Sequence, residues 1–241
     1  MSNPPALADA LRIRRHQPTR LESFVDASFA FAVTLLVISI GHLPTSVPEM
    51  LHALRGIPAF ALSFLLIARV WAAHRAWSRH YDIEDTYSLQ LSLVLVFLVL
   101  VFVYPLRFIF GLLFSSFSKG YLSDVPLELH SIDEYRMAFE VYGIGFAAIA
   151  GVFLLLYRHA AHATDRIGLD AVERVATRMH CQLWLSIGLV ALASAACAAA
   201  IPLDERSNWL FTIPGGLYAL NGVFSPLIRR RAARRLATAA A

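Results

Sequence analysis

The longest apolar run of the chain decides its fold class. Residues 87–113 contain the stretch SLVLVFLVLVFVYP and one charged residue, Arg107. About 20 apolar residues in a row are enough to cross the hydrocarbon core of a bilayer as a helix. In the whole chain, 58% of residues are hydrophobic and 16% are charged, against roughly 25% charged in a soluble domain. A soluble fold would expose large apolar patches to water, so the sequence predicts an all-α integral membrane protein.

Five other segments are apolar over a similar length, which gives six transmembrane helices in total. The predicted spans are residues 24–40, 57–77, 87–113, 138–157, 183–201 and 209–228. The fourth and fifth spans are rich in glycine and alanine, which let helices approach closely in lipid. The sixth span is interrupted by Pro214, Gly215, Gly216 and Pro226.

These spans divide the chain into three parts. An N-terminal segment covers residues 1–23, a membrane domain covers residues 24–228, and a basic tail covers residues 229–241. The length of 241 residues leaves no room for a separate soluble domain.

The positions of the basic residues predict the orientation in the membrane. If the N-terminus is inside, fifteen arginines lie in inner segments and five basic residues in outer ones, while Arg69 lies within a span. The positive-inside rule then predicts that both termini are cytoplasmic and that the chain is a multi-pass protein of the cell membrane. The run RRRAARR at residues 229–235 directly follows a span. We interpret it as an anchor to anionic lipid and expect no nucleic-acid partner.

The sequence contains no convergent set of reactive groups. His159 and His162 are three residues apart but have no nearby carboxylate at metal-ligand spacing. Cys181 and Cys197 lie on one predicted helix, ~24 Å apart, which is too far for a disulfide. We therefore predict that the chain is not an enzyme and has no catalytic residues, cofactor or resident metal.

The first predicted helix carries an ionisable residue, Asp26, within an apolar segment. Such a residue is costly in lipid and is expected to face protein or water. One face of this helix, at spacings of three and four residues, carries Phe24, Ala27, Phe31, Thr34, Leu35 and Ile38. The residues alone are compatible with an ordinary packed helix that has a buried aspartate near one end.

Two motifs in this part of the chain resemble a known family. Arg20, followed after three residues by Phe24-Val25-Asp26, resembles the Arg-x-x-x-Phe-Ser-Asp signature of the transmembrane protein 175 family of lysosomal and bacterial potassium channels. Trp71 and His74 resemble the Trp-x-x-His motif of the same family. The single six-span unit with cytoplasmic termini is similar to bacterial members over nearly the whole chain.

The resemblance implies a potassium-preferring cation channel that acts as a homotetramer in the lipid bilayer. The first helices of four copies would line the pore, and rings of apolar side chains would form its filter. By alignment to Asp26, the constriction falls on Phe31, the threonine layer on Thr34, and a further apolar ring on Leu35 or Ile38. The implied partners are potassium ions and other copies of the chain.

The same resemblance predicts a structural polar cluster at the inner ends of the first two helices. Its expected members are Arg20, Phe24, Asp26, Trp71 and His74.

The chain departs from the family pattern at two positions. The family serine is Val25 here, which removes one hydroxyl from the expected cluster. The constricting residue, usually Ile or Leu in the family, is Phe31. Two other functions remain as alternatives: a small secondary transporter, for which the broken sixth span is typical, and a membrane scaffold that does not conduct ions.

Overall fold

The computed structural model describes residues 11–39, 44–122, 132–202 and 212–239. All regular secondary structure in these ranges is helical. The helices are α1 (Arg20–Ile38), α2 (Val47–Leu54), α3 (Ile57–Tyr81), α4 (Thr86–Ser118), α5 (Ile132–His162), α6 (Thr164–Ile167), α7 (Ala171–Ala199), α8 (Thr212–Leu217) and α9 (Leu220–Ala239). Five of them, α1, α3, α4, α5 and α7, are long and apolar enough to cross a membrane.

The predicted all-helical membrane fold is confirmed, with five long apolar helices followed by a C-terminal helix. Each of the first five predicted spans falls on one of the long helices. Helices α3, α4 and α5 extend beyond the predicted spans, while α1 and α7 begin earlier than predicted and α7 ends at Ala199, two residues before the predicted end. Helix α4 has 33 residues, or about 50 Å of helix, which exceeds the roughly 30 Å of the hydrocarbon core. The predicted end of the first span, Ile40, lies outside the described residues.

The sixth predicted span differs most from the structure. It consists of the short helix α8 and the longer helix α9, separated by a turn at Tyr218 and Ala219. Pro226 lies inside α9 without ending it. Helix α9 also continues through the arginine run to Ala239, so the predicted boundary at residue 229 falls within a helix. The predicted start of this span at Trp209 lies outside the described part of the chain.

Short polar side chains define where three of the long helices begin. The hydroxyl of Thr19 accepts a hydrogen bond from the Glu22 N–H at the start of α1, at 3.2 Å. Asp85 and Asp170 begin α4 and α7 with reciprocal capping boxes. These bonds satisfy N–H groups that the first helical turn leaves without partners.

The N-terminal segment and α9 lie at the same end of the helix bundle. The Arg14 N–H donates to the Arg79 carbonyl at the end of α3, at 2.9 Å. Near the start of α7, Met179 packs with Ala232 of α9. We call this end the basic end, because it carries residues 12–15 and the arginine run of α9.

The opposite end of the bundle contains helix α2, which the sequence analysis did not predict. Buried Arg107 of α4 donates to the Gly56 carbonyl at 3.0 Å, and Arg55 lies over the Tyr121 ring at 5.1 Å. These two arginines hold the corner between α2 and α3.

Candidate functional site

Helix α1 has one face packed into the protomer and one face that points away from it. The packed side chains are all buried within the core: Glu22, Val25, Phe29, Ala32 and Leu36. Since these positions repeat every three or four residues, they form one continuous stripe along the helix. The opposite face is therefore left without a partner within the described part of the protomer.

The side chains predicted to line a pore lie mostly on this exposed face. Phe31 is 55% exposed and Ile38 is 63% exposed, and Thr34 is also exposed. Leu35 differs, because it is half-buried and packs against the core. One face of α1 thus carries the exposed side chains that we call the exposed stripe: Phe24, Ala27, Phe31, Thr34 and Ile38.

Thr34 is the polar member of the exposed stripe and lies between Phe31 and Ile38. Its hydroxyl donates to the Ala30 carbonyl of its own helix at 3.1 Å. A hydroxyl that donates its only proton in this way keeps oxygen lone pairs free to accept. The oxygen of Thr34 can therefore coordinate a cation located beside α1.

Asp26 and Trp71 are brought together by the packing of α1 on α3. The indole N–H of Trp71 donates to Asp26 Oδ1 at 2.7 Å. The guanidinium of Arg75 lies 5.4 Å from the centre of the Trp71 ring. Arg69 is exposed, and among the described residues it forms no ion pair with Asp26. The costly carboxylate is thus satisfied by an indole rather than by an arginine.

His74 is not part of the Asp26–Trp71 contact. It is only 2% exposed, and its Nε2 lies 3.0 Å from the Ser92 hydroxyl of α4. Ser92 in turn donates to the Ser88 carbonyl at 2.8 Å. His74 therefore connects α3 to α4, while Trp71 connects α3 to α1.

Arg20 and Phe24 lie in a groove, away from both the Asp26–Trp71 bond and the His74–Ser92 contact. Both are exposed and line an open groove of about 650 Å³ between the starts of α1 and α4, together with Glu84 and Asp85. Of the five residues expected as one polar cluster, Asp26 and Trp71 share a hydrogen bond, His74 bonds to Ser92, and Arg20 and Phe24 line the groove.

Val25, which replaces the family serine, is fully buried in the core. Its side chain joins the packed face of α1 and not the exposed stripe. The departure therefore exchanges a hydroxyl for an apolar contact within the protomer.

A network of ion pairs at the basic end was missed by the sequence analysis. Arg14 donates through both terminal nitrogens to the buried carboxylate of Glu173, at 2.9 and 2.8 Å. Arg79 donates to buried Glu22 at 3.2 Å, and Arg15 pairs with Asp82 and Glu84. The N-terminal segment is thereby attached to the ends of α3 and α7.

A second group of charges joins α4 to the end of α5. His159 Nε2 lies 2.7 Å from Asp85 Oδ2, and Arg166 donates to the same oxygen at 3.0 Å. Burial raises the pKa of Asp85, but hydrogen bonds from the Ser88 N–H, Arg166, His159 and the Ser88 hydroxyl outweigh it and hold this pKa well below its ordinary value. The Asp85 carboxylate is thus charged at neutral pH.

The capping boxes were visible in the sequence, because an aspartate stands three residues before Ser88 and Glu173. The pairing of Arg14 with Glu173 was not, since 159 residues separate them. Among the described residues, no group of three His, Cys, Asp or Glu side chains is placed to hold a metal ion.

Comparisons with known proteins agree on one relationship. Residues 20–105 match the family model described as endosomal/lysosomal potassium channel TMEM175. A protein of Marivirga tractuosa named as a potassium channel is 33% identical over 165 residues, and the match covers 66% of each chain. The fold is similar to a crystal structure of a variant of the potassium channel MtTMEM175 in complex with a nanobody–MBP fusion protein. That similarity has a TM-score of 0.78 and 27% identity, and it covers 97% of this chain and 99% of the other.

Proposed function

The chain belongs to the TMEM175 potassium channel family, and we propose that it conducts potassium ions as a homotetramer with α1 lining the pore. Because the aligned part covers 66% of the curated relative, the potassium selectivity and the assembly of this chain are part of the proposal. We further propose that it resides in the cell membrane with both termini in the cytoplasm, on the basis of its arginine distribution.

The exposed stripe of α1 is the observation that carries this proposal. A single pore-lining helix per chain cannot enclose a pore, so several copies must meet around one axis. The stripe offers a surface for that meeting, since it is continuous over the length of α1 and has no partner within the described protomer. The match of residues 20–105 to the family model includes all of α1.

Phe31 is the proposed constriction. Narrow apolar passages can lose their water, and this loss closes them to ions. Four phenyl rings at one level would form such a passage. Their faces would also attract a cation, by about 0.5–2 kcal/mol each depending on desolvation.

Thr34 is proposed to supply oxygen ligands about one turn away from Phe31. Its hydroxyl proton is already donated to Ala30, so the oxygen is oriented to accept. Ile38 is the better candidate for a further apolar ring than Leu35, because Leu35 packs against the protomer core. Selectivity would then arise from the width and dehydration of the apolar rings.

The remaining predicted residues have structural roles in this proposal. Asp26 and Trp71 fix α1 on α3, and His74 fixes α3 on α4. Arg20 and Phe24 would lie at the inner mouth of the pore, next to Glu84 and Asp85.

Flux measurements in proteoliposomes test the proposal. With an outward potassium gradient, the purified chain should pass potassium faster than sodium, and single-channel steps should appear in planar bilayers. A saturable flux coupled to a second ion would instead indicate a transporter. Liposomes that contain the chain but pass neither potassium nor sodium would indicate a scaffold. Coupled saturable flux and the absence of ion flux would each contradict the proposal.

A further inference from the structure

Helices α7 and α9 pack against each other near the basic end and form a seam. Met179 and Leu183 of α7 contact Ala232, with Val175 and Ile228 packed beside them. Because α9 follows α7 across the opposite end of the bundle, the two helices run in opposite directions. The seam is therefore an antiparallel pair that ends among arginines.

Four arginines lie along one side of this seam. On α7, Arg174 and Arg178 each precede a packed residue by one position; on α9, Arg231 directly precedes Ala232, and Arg235 lies one turn further. Each residue of an α-helix is rotated by about 100° from the residue before it. In an antiparallel pair, the residues that directly precede the packed residues of the two helices therefore lie on the same side of the seam. All four side chains belong to exposed residues.

Arg229 lies on the other side of the seam. It follows packed Ile228 instead of preceding a packed residue, and the rotation of about 100° per residue places it on the side of His180, which follows Met179 on α7. Arg230 is two residues beyond packed Ile228, a rotation of about 200° that directs it away from α7, and it is exposed. One side of the seam therefore carries four arginines, and the other side carries Arg229.

The position of the four arginines along the helices matches the level of lipid headgroups. On α9, Val223 and Leu227 are 55% and 44% exposed, and the arginines begin directly after them. On α7, Leu185 and Leu189 are 46% and 57% exposed, and Arg178 lies ~10.5 Å before Leu185 along the helix. Apolar surface for acyl chains thus meets cationic surface for headgroups on both helices.

The four charges are not neutralised within the described part of the chain. The nearest acidic side chain in sequence, Glu173, is buried and bonded to Arg14, and Asp170 pairs with Arg12. None of the four arginines forms an ion pair with another described residue. They are therefore available to an external anion.

We propose that this side of the α7–α9 seam binds the phosphate-bearing headgroup of an anionic phospholipid. Guanidinium groups bind phosphate oxygens through paired hydrogen bonds, and arginines from two helices can surround one headgroup. This is a specific site on one side of one helix pair, beyond the general attraction of a basic tail to a membrane. A nucleic acid would not use the adjacent exposed leucines and valine, which favours lipid.

Lipid retention measured by native mass spectrometry tests the site. The wild-type chain is purified in detergent and mixed with either phosphatidylglycerol or phosphatidylcholine, which have the same acyl chains. We expect preferential retention of phosphatidylglycerol, and an increase in thermal stability with that lipid only. Equal retention of both lipids would overturn the proposal.

Two double variants that remove the same charge from α9 separate a site from general attraction. Arg231→Gln with Arg235→Gln should reduce phosphatidylglycerol retention about tenfold or more. Arg229→Gln with Arg230→Gln should leave it nearly unchanged. Equal losses in both variants would show that only net charge matters and would overturn the site.

A third double variant and a competition with inorganic phosphate complete the test of lipid retention. Arg174→Gln with Arg178→Gln should cause a loss similar to that of the first pair, because those arginines lie on the same side of the seam. Inorganic phosphate at millimolar concentration should not displace the lipid. Full displacement would indicate a site for free phosphate and would contradict the lipid assignment.

Discussion

The indole N–H of Trp71 lies 2.7 Å from Asp26 Oδ1 and joins α3 to α1. Among the described residues, this is the one hydrogen bond between the two family motifs. It satisfies a carboxylate that would otherwise be costly within an apolar helix. Since Asp26 is on α1, the bond also fixes the rotation of that helix and so the direction of its exposed stripe.

Loss of this bond should weaken the chain. Trp71→Phe keeps an aromatic ring but leaves Asp26 without its donor, and we expect a loss of about 1.5–3 kcal/mol in the free energy of unfolding. Asp26→Asn keeps an acceptor oxygen and should cost about half as much. Thermal unfolding in detergent measures both. If the effects of the two substitutions are additive in the double variant, the bond does not couple the helices.

Replacement of Phe31 by alanine should increase potassium leak several-fold in proteoliposomes, because a wider passage does not dry out. The matched control is Phe97→Ala on α4, since Phe97 is 64% exposed but lies on a different helix. Flux through this control should equal that of the wild type. Unchanged flux in Phe31→Ala would refute the constriction.

Arg14→Gln should destabilise the basic end by about 3 kcal/mol or more, because it leaves the buried carboxylate of Glu173 without its cation. Arg12→Gln is the control. The Arg12 side chain is 75% exposed, so its pair with Asp170 should contribute less than about 1 kcal/mol. Denaturant titrations followed by tryptophan fluorescence can compare them. Similar losses in both variants would argue against a special role for Arg14.

The charge of Asp85 should contribute stability that depends on pH. Its pKa is lower in the folded chain than its ordinary value of 3.8, so the contribution is complete above that value. It is lost as the pH falls from about 4 through the lower, folded-state pKa. Asp85→Asn keeps a side chain that can cap α4 but removes the charge.

Melting temperatures at several pH values measure this dependence. The difference between wild type and Asp85→Asn should be largest near neutral pH and should shrink below pH ~4. Asp165→Asn, at an exposed position, should show little difference at any pH. A constant difference for Asp85→Asn would mean that its effect does not come from charge.

The sequence predicted those features that depend on local pattern. Hydropathy located the five long helices, because a bilayer requires continuous apolar segments. The periodicity of α1 identified Phe31, Thr34 and Ile38 as one face, and these residues are exposed together. The sixth segment is broken, as predicted, but the break lies at Tyr218 and Ala219 and not at its prolines and glycines. The continuation of α9 through the arginines was not predicted.

Features that depend on long-range packing could not be predicted in this way. Trp71 and His74 are three residues apart, which leaves about 60° between their directions on the helix. That angle is enough for one to contact α1 and the other α4. The attachment of Arg14 to Glu173 joins distant parts of the chain, and no local pattern indicates which acidic residue a given arginine will meet.

An electron cryomicroscopy map of the purified chain in lipid nanodiscs can show whether α1 lines a shared pore. We expect four copies around one axis, with the Phe31 side chains of all four converging on it and Phe97 facing lipid. A map in which the exposed stripe of α1 faces lipid, or in which single copies do not associate, would contradict this expectation.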